Sequence, residues 1–390
     1  MFLTNRKHRK WTISIGIILL ICGGYHVWRM TGREGYTGDP QLNIELTYEY
    51  GKDFGNGNIV AIQPWILGAD YSSAQAFRSK LDGYFREADR KGWLRKNTIV
   101  VLPEYLGAWL LCAGEKRSVW EAPTIMDAMK MKVLSNIPSI IAGAVLAPCA
   151  DRTKYAIFRS SGKKSASIYD KTLSYLARKY HITIAGGSVI LPSPYVEDGH
   201  LRTTGKGPLY NVSPVYRPDG NAYPELVIKV FVTADEKDFV SPGKIDDLPV
   251  FDTPSGKLGV LICADSWFPQ AFRVLSQKQA KLVVVSSFIG GDSSLREIWK
   301  GYSNAKTPSD VNPTDPEKIT SFEAWKRYTL PGRISGTGIQ FGVLSCLRGQ
   351  LWDLGSDSFV CAVRDGKPSV SDSPDGAVLT NVWIGRSQGK

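Results

Sequence analysis

The chain has 390 residues, 43% of them hydrophobic and 22% charged, with a formal net charge of +11. This is ordinary globular composition, and the length suits one large α/β domain or two smaller ones. Zinc-finger spacing, an RNP-like aromatic pattern and a long basic helix are missing, so no nucleic-acid partner is expected despite the basic balance. Six cysteines (Cys22, Cys112, Cys149, Cys263, Cys346, Cys361) include no CxxC pair. That excludes a metal site of the usual spacing and a disulfide scaffold, although a single bridged pair stays open for an extracytoplasmic domain.

Arg6, Lys7, Arg9 and Lys10 precede an apolar run from Trp11 to Trp28. The run is long enough to span a bilayer as a helix, and Trp11, Tyr25 and Trp28 sit near its ends as interfacial aromatics do. The positive-inside bias predicts a cytoplasmic N-terminus, a single-pass anchor over 1–30, and an extracytoplasmic remainder, periplasmic in a bacterium. A cleaved signal peptide lacks its small-x-small site, and a lipoprotein reading at Cys22 is opposed by Ile21. Residues 31–57 read as a linker. Asn58–Pro64 reads as a strand, Ser72–Lys91 as an amphipathic helix and Thr98–Leu102 as a second strand running into Pro103-Glu104. Strand, helix, strand predicts a βαβ unit.

Residues 112–139 look largely helical and are followed by an apolar run over 140–146. Ser167–Lys179 reads as another amphipathic helix. Ile182–Ser188, Leu209–Tyr216, Leu226–Phe231 and Leu258–Ile262 read as strands. Helix Gln270–Gln279, strand Lys281–Ser287, a polar Pro-rich loop over 303–318, helix Phe322–Tyr328 and late strands at 338–345 and 357–363 complete the pattern.

Three polar residues interrupt apolar strands or end them. Glu104 follows a wholly apolar strand, where desolvation raises a carboxyl pKa and suits a general base. Lys229 lies inside the strand 226–231, where an ammonium is costly unless paired. Cys263 sits where a strand hands over to a turn, exposing a thiol beside free backbone N–H groups. Taken alone, Cys263 reads equally as a buried structural cysteine. A Cys-His dyad would need His181, in a helix-to-strand passage, or His200, in a polar loop.

In this order, Pro103-Glu104, Lys229 and Cys263-Ala264-Asp265 resemble the carbon–nitrogen hydrolase (nitrilase) superfamily. Ile184-Ala185-Gly186-Gly187-Ser188, Tyr210-Asn211, Phe239-Val240-Ser241-Pro242-Gly243, Phe268-Pro269 and Gly355-Ser356-Asp357-Ser358 add to the likeness. It covers roughly 58–363, and Gln270 replaces the usual acid. The resemblance implies an α-β-β-α sandwich over 58–390 behind an N-terminal transmembrane helix. It also implies a Glu104-Lys229-Cys263 triad with Glu236 as a fourth member, the Ala264 N–H in the oxyanion site, and a thioester intermediate. No metal or organic cofactor is implied. The activity implied is hydrolysis of a non-peptide amide. An N-acyltransferase resembling apolipoprotein N-acyltransferase and an inactive membrane-tethered binding module are the alternatives. A strict nitrilase is disfavoured because Ala264-Asp265 stands where a Trp-Glu pair is usual. The implied partners are a small amide or acyl-chain substrate and the membrane, with room for a homo-oligomer. The span from Glu104 to Lys229 is long for the family, and an insertion at about 112–165 is expected as a substrate lid or membrane-facing flap. Arg159, Lys163 and Lys164 read as a solvated loop or a headgroup contact.

Overall fold

In a computed structural model, which describes residues 3–302, 307–372 and 375–385 (3–10 by backbone alone), the chain begins with helix α1 (Leu3–Met30) and strand β1 (Ile44–Tyr50). Next come β2 (Asn58–Gln63), β3 (Trp65–Leu67), α2 (Ala74–Arg90) and β4 (Thr98–Val101). A helical block follows: α3 (Arg117–Trp120), α4 (Ile125–Ser135), α5 (Ile137–Val145) and α6 (Arg152–Tyr180). The chain continues through β5 (Thr183–Ala185), β6 (Val189–Pro192), β7 (Pro194–Glu197), β8 (His200–Thr203), β9 (Leu209–Ser213), β10 (Val215–Tyr216) and β11 (Val227–Ile228). It then forms β12 (Val250–Thr253), β13 (Gly256–Ile262), α7 (Pro269–Gln277), β14 (Leu282–Ser287), α8 (Ser321–Tyr328) and α9 (Leu330–Arg333). Last are β15 (Phe341–Cys346), β16 (Arg348–Gln350), β17 (Phe359–Arg364), β18 (Lys367–Asp372) and β19 (Ala377–Trp383).

Two six-stranded sheets, ordered β1-β19-β2-β4-β5-β10 and β12-β13-β14-β15-β17-β18, face each other. Their centres are parallel, β2 with β4 and β5, and β13 with β14 and β15. Strands covered on both faces read as unbroken apolar runs, which is the composition of 59–62, 99–102 and 258–262. Ile59, Ala61, Ile99 and Val101 point into the space between the sheets, against Val260, Ile262, Leu282 and Val284. Val60, Ile62, Val100 and Leu102 point outward onto Phe77 and Leu81 of α2 and Tyr169 and Leu173 of α6. Phe272 of α7 and Trp325 of α8 cover the second sheet. The layers therefore run helix, sheet, sheet, helix. Two buried serines stitch the sheets together: Ser286 Oγ donates to Leu102 O at 2.8 Å and Ser345 Oγ to Ile62 O at 2.7 Å.

Three expectations change. Residues 44–50, expected inside a linker, form β1, which runs parallel to β19. Its partner lies at the far end of the chain and its residues are half-exposed, so no apolar period marks it. The strand expected over 226–231 stops at Ile228, because the N–H groups of Val230 and Phe231 donate to the Asp265 carboxylate instead of to a neighbouring strand. Arg159, Lys163 and Lys164, expected in a loop, lie on the 29-residue helix α6. Residues 303–306 of the polar loop fall outside the described residues. Within α1, Trp11–Met30 has a mean hydropathy of 1.5 and none of it is buried, which by length and composition is enough to cross a membrane.

Candidate active site

At the end of β13 the backbone turns sharply, and Cys263 takes a φ of +44°. That conformation costs a residue with a side chain about 1–2 kcal/mol. Asp265, fully buried two residues on, holds it in place. Its Oδ2 accepts the N–H of Ile262 (3.3 Å), while Oδ1 accepts those of Val230 (3.0 Å) and Phe231 (2.8 Å). One carboxylate thus ties the cysteine turn to the segment leaving Lys229. Burial pushes the Asp265 carboxyl up to about 7 even against these donors.

Leu102 and Pro103 carry the chain from β4 to Glu104, which is buried in the same space. Lys229, at the end of β11, reaches across it: its Nζ donates to Glu104 Oε1 at 2.8 Å and Glu236 Oε2 at 2.6 Å. Asn211 of β9 bridges the two carboxylates, its Nδ2 lying 3.0 Å from Glu104 Oε1 and 2.9 Å from Glu236 Oε1. Glu236 further accepts from Tyr105 Oη (2.6 Å) and Thr233 N (2.9 Å). The Cys263 thiol lies 3.8 Å from the carbonyl oxygen of Phe288.

These four residues leave two carboxylates to one ammonium in a place without solvent, and burial treats the carboxylates differently. Glu104 is pushed above the ordinary carboxylate range by desolvation and by the Glu236 charge, with Lys229 pulling the other way. Glu236 feels desolvation too, but Lys229 and the donors from Thr233 and Tyr105 hold it below the ordinary range. Desolvation works against the Lys229 ammonium, yet Glu104, Tyr105, Glu236 and Cys263 together keep it protonated. Burial and the neighbouring Glu104 charge raise the Cys263 thiol well above its usual value. The arrangement sets a thiol held toward its protonated form beside a carboxyl of raised proton affinity, with a second carboxyl held toward its ionised form against the lysine.

The site opens on a cavity of about 510 Å³ in which Glu104, Lys229, Glu236 and Cys263 sit at one end. Its walls are mostly apolar and include Trp109, shortly after Glu104, and Ile125, Met129, Ile157 and Phe158, contributed by the segment expected as an insertion. Two larger clefts, of about 810 and 850 Å³, lie elsewhere and contain none of these four residues. His200 pairs with Asp170 on α6 at 2.9 Å, and His181 caps that helix in a left-handed conformation; neither lines the cavity. The structure brings together the four side chains expected from the sequence, Glu104, Lys229, Glu236 and Cys263, and adds Asn211, Tyr105 and Asp265, to which the sequence reading gave no role. The signals were a buried amide inside strand β9, a tyrosine directly after Glu104 and a carboxyl two residues after Cys263.

Residues 63–306 match the family model described as carbon-nitrogen hydrolase. Among curated proteins, a probable hydrolase, YhcX, of Bacillus subtilis (strain 168) is 32% identical over 115 residues, 30% of this chain and 20% of that protein. A citrullinase of Francisella tularensis subsp. tularensis (strain SCHU S4 / Schu 4) is 33% identical over 152 residues, 37% of this chain and 48% of the relative. The chain thus spans less than half the length of these two relatives. Among solved structures, an amidase from Nesterenkonia sp. aligns over 84% of this chain and 90% of its own, with 17% identity and a TM-score of 0.48.

Proposed function

The chain belongs to the carbon–nitrogen hydrolase family, and on that premise we propose that it hydrolyses a non-peptide amide through a thioester on Cys263. The observation that carries this reading is the convergence of a thiol, a raised carboxyl and a paired ammonium at one end of an apolar cavity. Cys263 Sγ attacks the substrate carbonyl carbon while its proton passes to Glu104. The C=O π pair moves onto oxygen. An ammonium has three N–H donors, and Glu104 and Glu236 take two from Lys229, leaving one for the oxyanion. The Ala264 amide, in the first turn after Cys263 and without an intrahelical acceptor, supplies a second donor. Glu104 returns the proton to the nitrogen as the C–N bond breaks and the amine leaves. Water then attacks the thioester, giving a proton to Glu104, and the thiol leaves with that proton. Glu236 holds Lys229 charged and in place throughout.

An acyltransferase uses the same first half-reaction with an amine in place of water. The apolar lining of the cavity favours that second reading, since Ile125, Met129, Ile157 and Phe158 suit an acyl chain better than a polar amide side chain. In both readings α1 anchors the domain with the N-terminus in the cytoplasm, and a C-terminal reporter is active only outside it. The test is to incubate the full chain with a thiol-reactive acyl probe and weigh the adduct by mass spectrometry. A thioester on Cys263 that is lost in Cys263→Ala supports the reading, and full turnover by Cys263→Ala refutes it.

A further inference from the structure

Helix α5 and the stretch after it, residues 137–150, contain no charged residue. One face of α5 packs inward: Ile140 is buried, and Gly143 sits so close to α6 that an added Cβ would meet Ala156 at 3.0 Å. The opposite face is apolar and open to solvent. Ile137, Ile141 and Val145 recur at helical spacing along it, with Leu146 beside them; Ile141 is 58% exposed and Val145 72%. Leu134 and Met126 of α4 are exposed as well. An uncharged, outward apolar face of this kind marks an interaction surface.

Its position says what covers it. Near the end of α1, the Tyr25 hydroxyl donates to Leu134 O (3.0 Å) and accepts the N–H of Ile137 (3.1 Å), so α1 joins this face at the turn between α4 and α5. Lys116 Nζ donates to Trp28 O at 2.7 Å and lies 4.8 Å from the centre of the Trp28 ring. Arg33, just past the helix, pairs with Glu115 at 3.0 Å. Glu115 in turn accepts from Lys132 of α4 (2.9 Å) and from Asn136 between α4 and α5 (2.8 Å). The apolar face is thus fixed to the last turns of the one helix that is long and apolar enough to cross a bilayer among the described residues. Tyr25 lies about 7 Å along the axis before the helix end at 1.5 Å per residue, which matches the shallow burial of an interfacial helix, about 5–10 Å.

We propose that α5 and the adjoining end of α4 form a membrane-docking face that inserts into the outer edge of the bilayer beside α1. The occupant is the lipid surface. Because α4 also contributes Ile125 and Met129 to the wall of the Cys263 cavity, docking holds that cavity against the membrane and gives access to molecules dissolved in it. The docking itself does not rest on the hydrolase reading.

The test uses the full chain in phosphatidylcholine–phosphatidylglycerol nanodiscs. Exposed Cys22 and half-buried Cys149 are replaced by serine and Cys263 by alanine, and a nitroxide is placed at Ile141→Cys, Val145→Cys or, as a control, Glu197→Cys on the exposed side of β7. Substitution at positions this exposed leaves the packed face untouched. The expected result is a several-fold higher ratio of oxygen to nickel-complex accessibility at 141 and 145 than at 197, lost in the companion Leu146→Asp, Ile137→Asp background. Equal, water-like accessibility at all three sites overturns the proposal. So does protection at 141 and 145 that grows with the number of copies per disc, which assigns the face to a second copy of the chain. The readout needs no turnover, so an inactive Cys263 refutes the hydrolase reading and leaves docking standing.

Discussion

Glu236→Gln separates the two carboxylates of the site. Both contact the same ammonium, at 2.8 and 2.6 Å, so their nearest oxygens are within roughly 5 Å of each other. At an effective dielectric near 20, two unit charges at about 5 Å repel by about 3 kcal/mol. That repulsion is one of the two causes that raise Glu104. Glutamine removes the charge and keeps one acceptor oxygen, enough for either the Tyr105 side or the Thr233 side, and leaves Glu104 as the one carboxylate on Lys229. Glu104 then ionises more readily and becomes a weaker base. The assay is the rate of Cys263 alkylation by iodoacetamide between pH 4 and 9, followed by intact mass, with Cys263→Ala giving the background from Cys22 and Cys149. The wild-type acid limb is expected above the ordinary carboxylate range. In Glu236→Gln it moves to lower pH by more than one unit, because about 1.36 kcal/mol is a tenfold change in an ionisation constant. The plateau falls at least tenfold, within the roughly 10²–10⁴ that a positioned acid–base group contributes. A limb that stays in place or moves up refutes the division of labour in which Glu104 carries the proton and Glu236 the counter-charge.

Cys263→Gly and Cys263→Ala are both expected to be inactive, but glycine relieves the left-handed backbone at +44°; urea unfolding should find it more stable than the alanine variant by about 1 kcal/mol. Lys229→Met leaves two buried carboxylates facing each other across Asn211 and is expected to cost about 3–5 kcal/mol near neutral pH. In that variant both acids are raised in the folded state relative to the unfolded chain. Its deficit therefore shrinks as pH falls and they protonate, and an equal deficit at pH 5 and pH 8 refutes the charge account. Asp265, at about 7 when folded against 3.8 as a free carboxyl, gives stability that is full at low pH and is lost as pH rises through about 7. Asp265→Asn should remove that slope from unfolding midpoints measured between pH 5 and 8.

The candidate site was legible because parallel strands covered on both faces leave little room for polar residues. Where Thr98–Leu102 and Leu258–Ile262 stop being apolar, the next functional groups are Glu104 and Cys263, and the chain order of acid, lysine and thiol did the rest. The supporting residues were harder to read. Asn211 and Asp265 act through side-chain contacts with segments at least 25 residues away, Glu104 and Glu236 for one and Val230 and Phe231 for the other. No local spacing encodes such contacts. β1 escaped for a related reason, since its pairing with β19 is parallel and joins opposite ends of the chain, and its half-exposed residues carry no strong alternation.

Helix α5 shows where composition stops being informative. An apolar run such as 140–146 fits a core strand, a core helix or a surface that lipid covers, because all three avoid charge. What separates them is the neighbour on each side. Here Ile140 and Gly143 meet α6, whereas Ile141 and Val145 are mostly exposed, and the turn that presents them is hydrogen-bonded to Tyr25 of α1. In the sequence, the apolar helix at 11–28 and the uncharged stretch at 137–150 are separate features more than a hundred residues apart. In the folded chain they are adjacent, and the cavity of Cys263 shares a helix with both the docking face and its own wall. Under the docking proposal, anchoring, substrate access and chemistry become parts of one arrangement, in which a helix that looks like misplaced core sets which side of the domain faces the membrane.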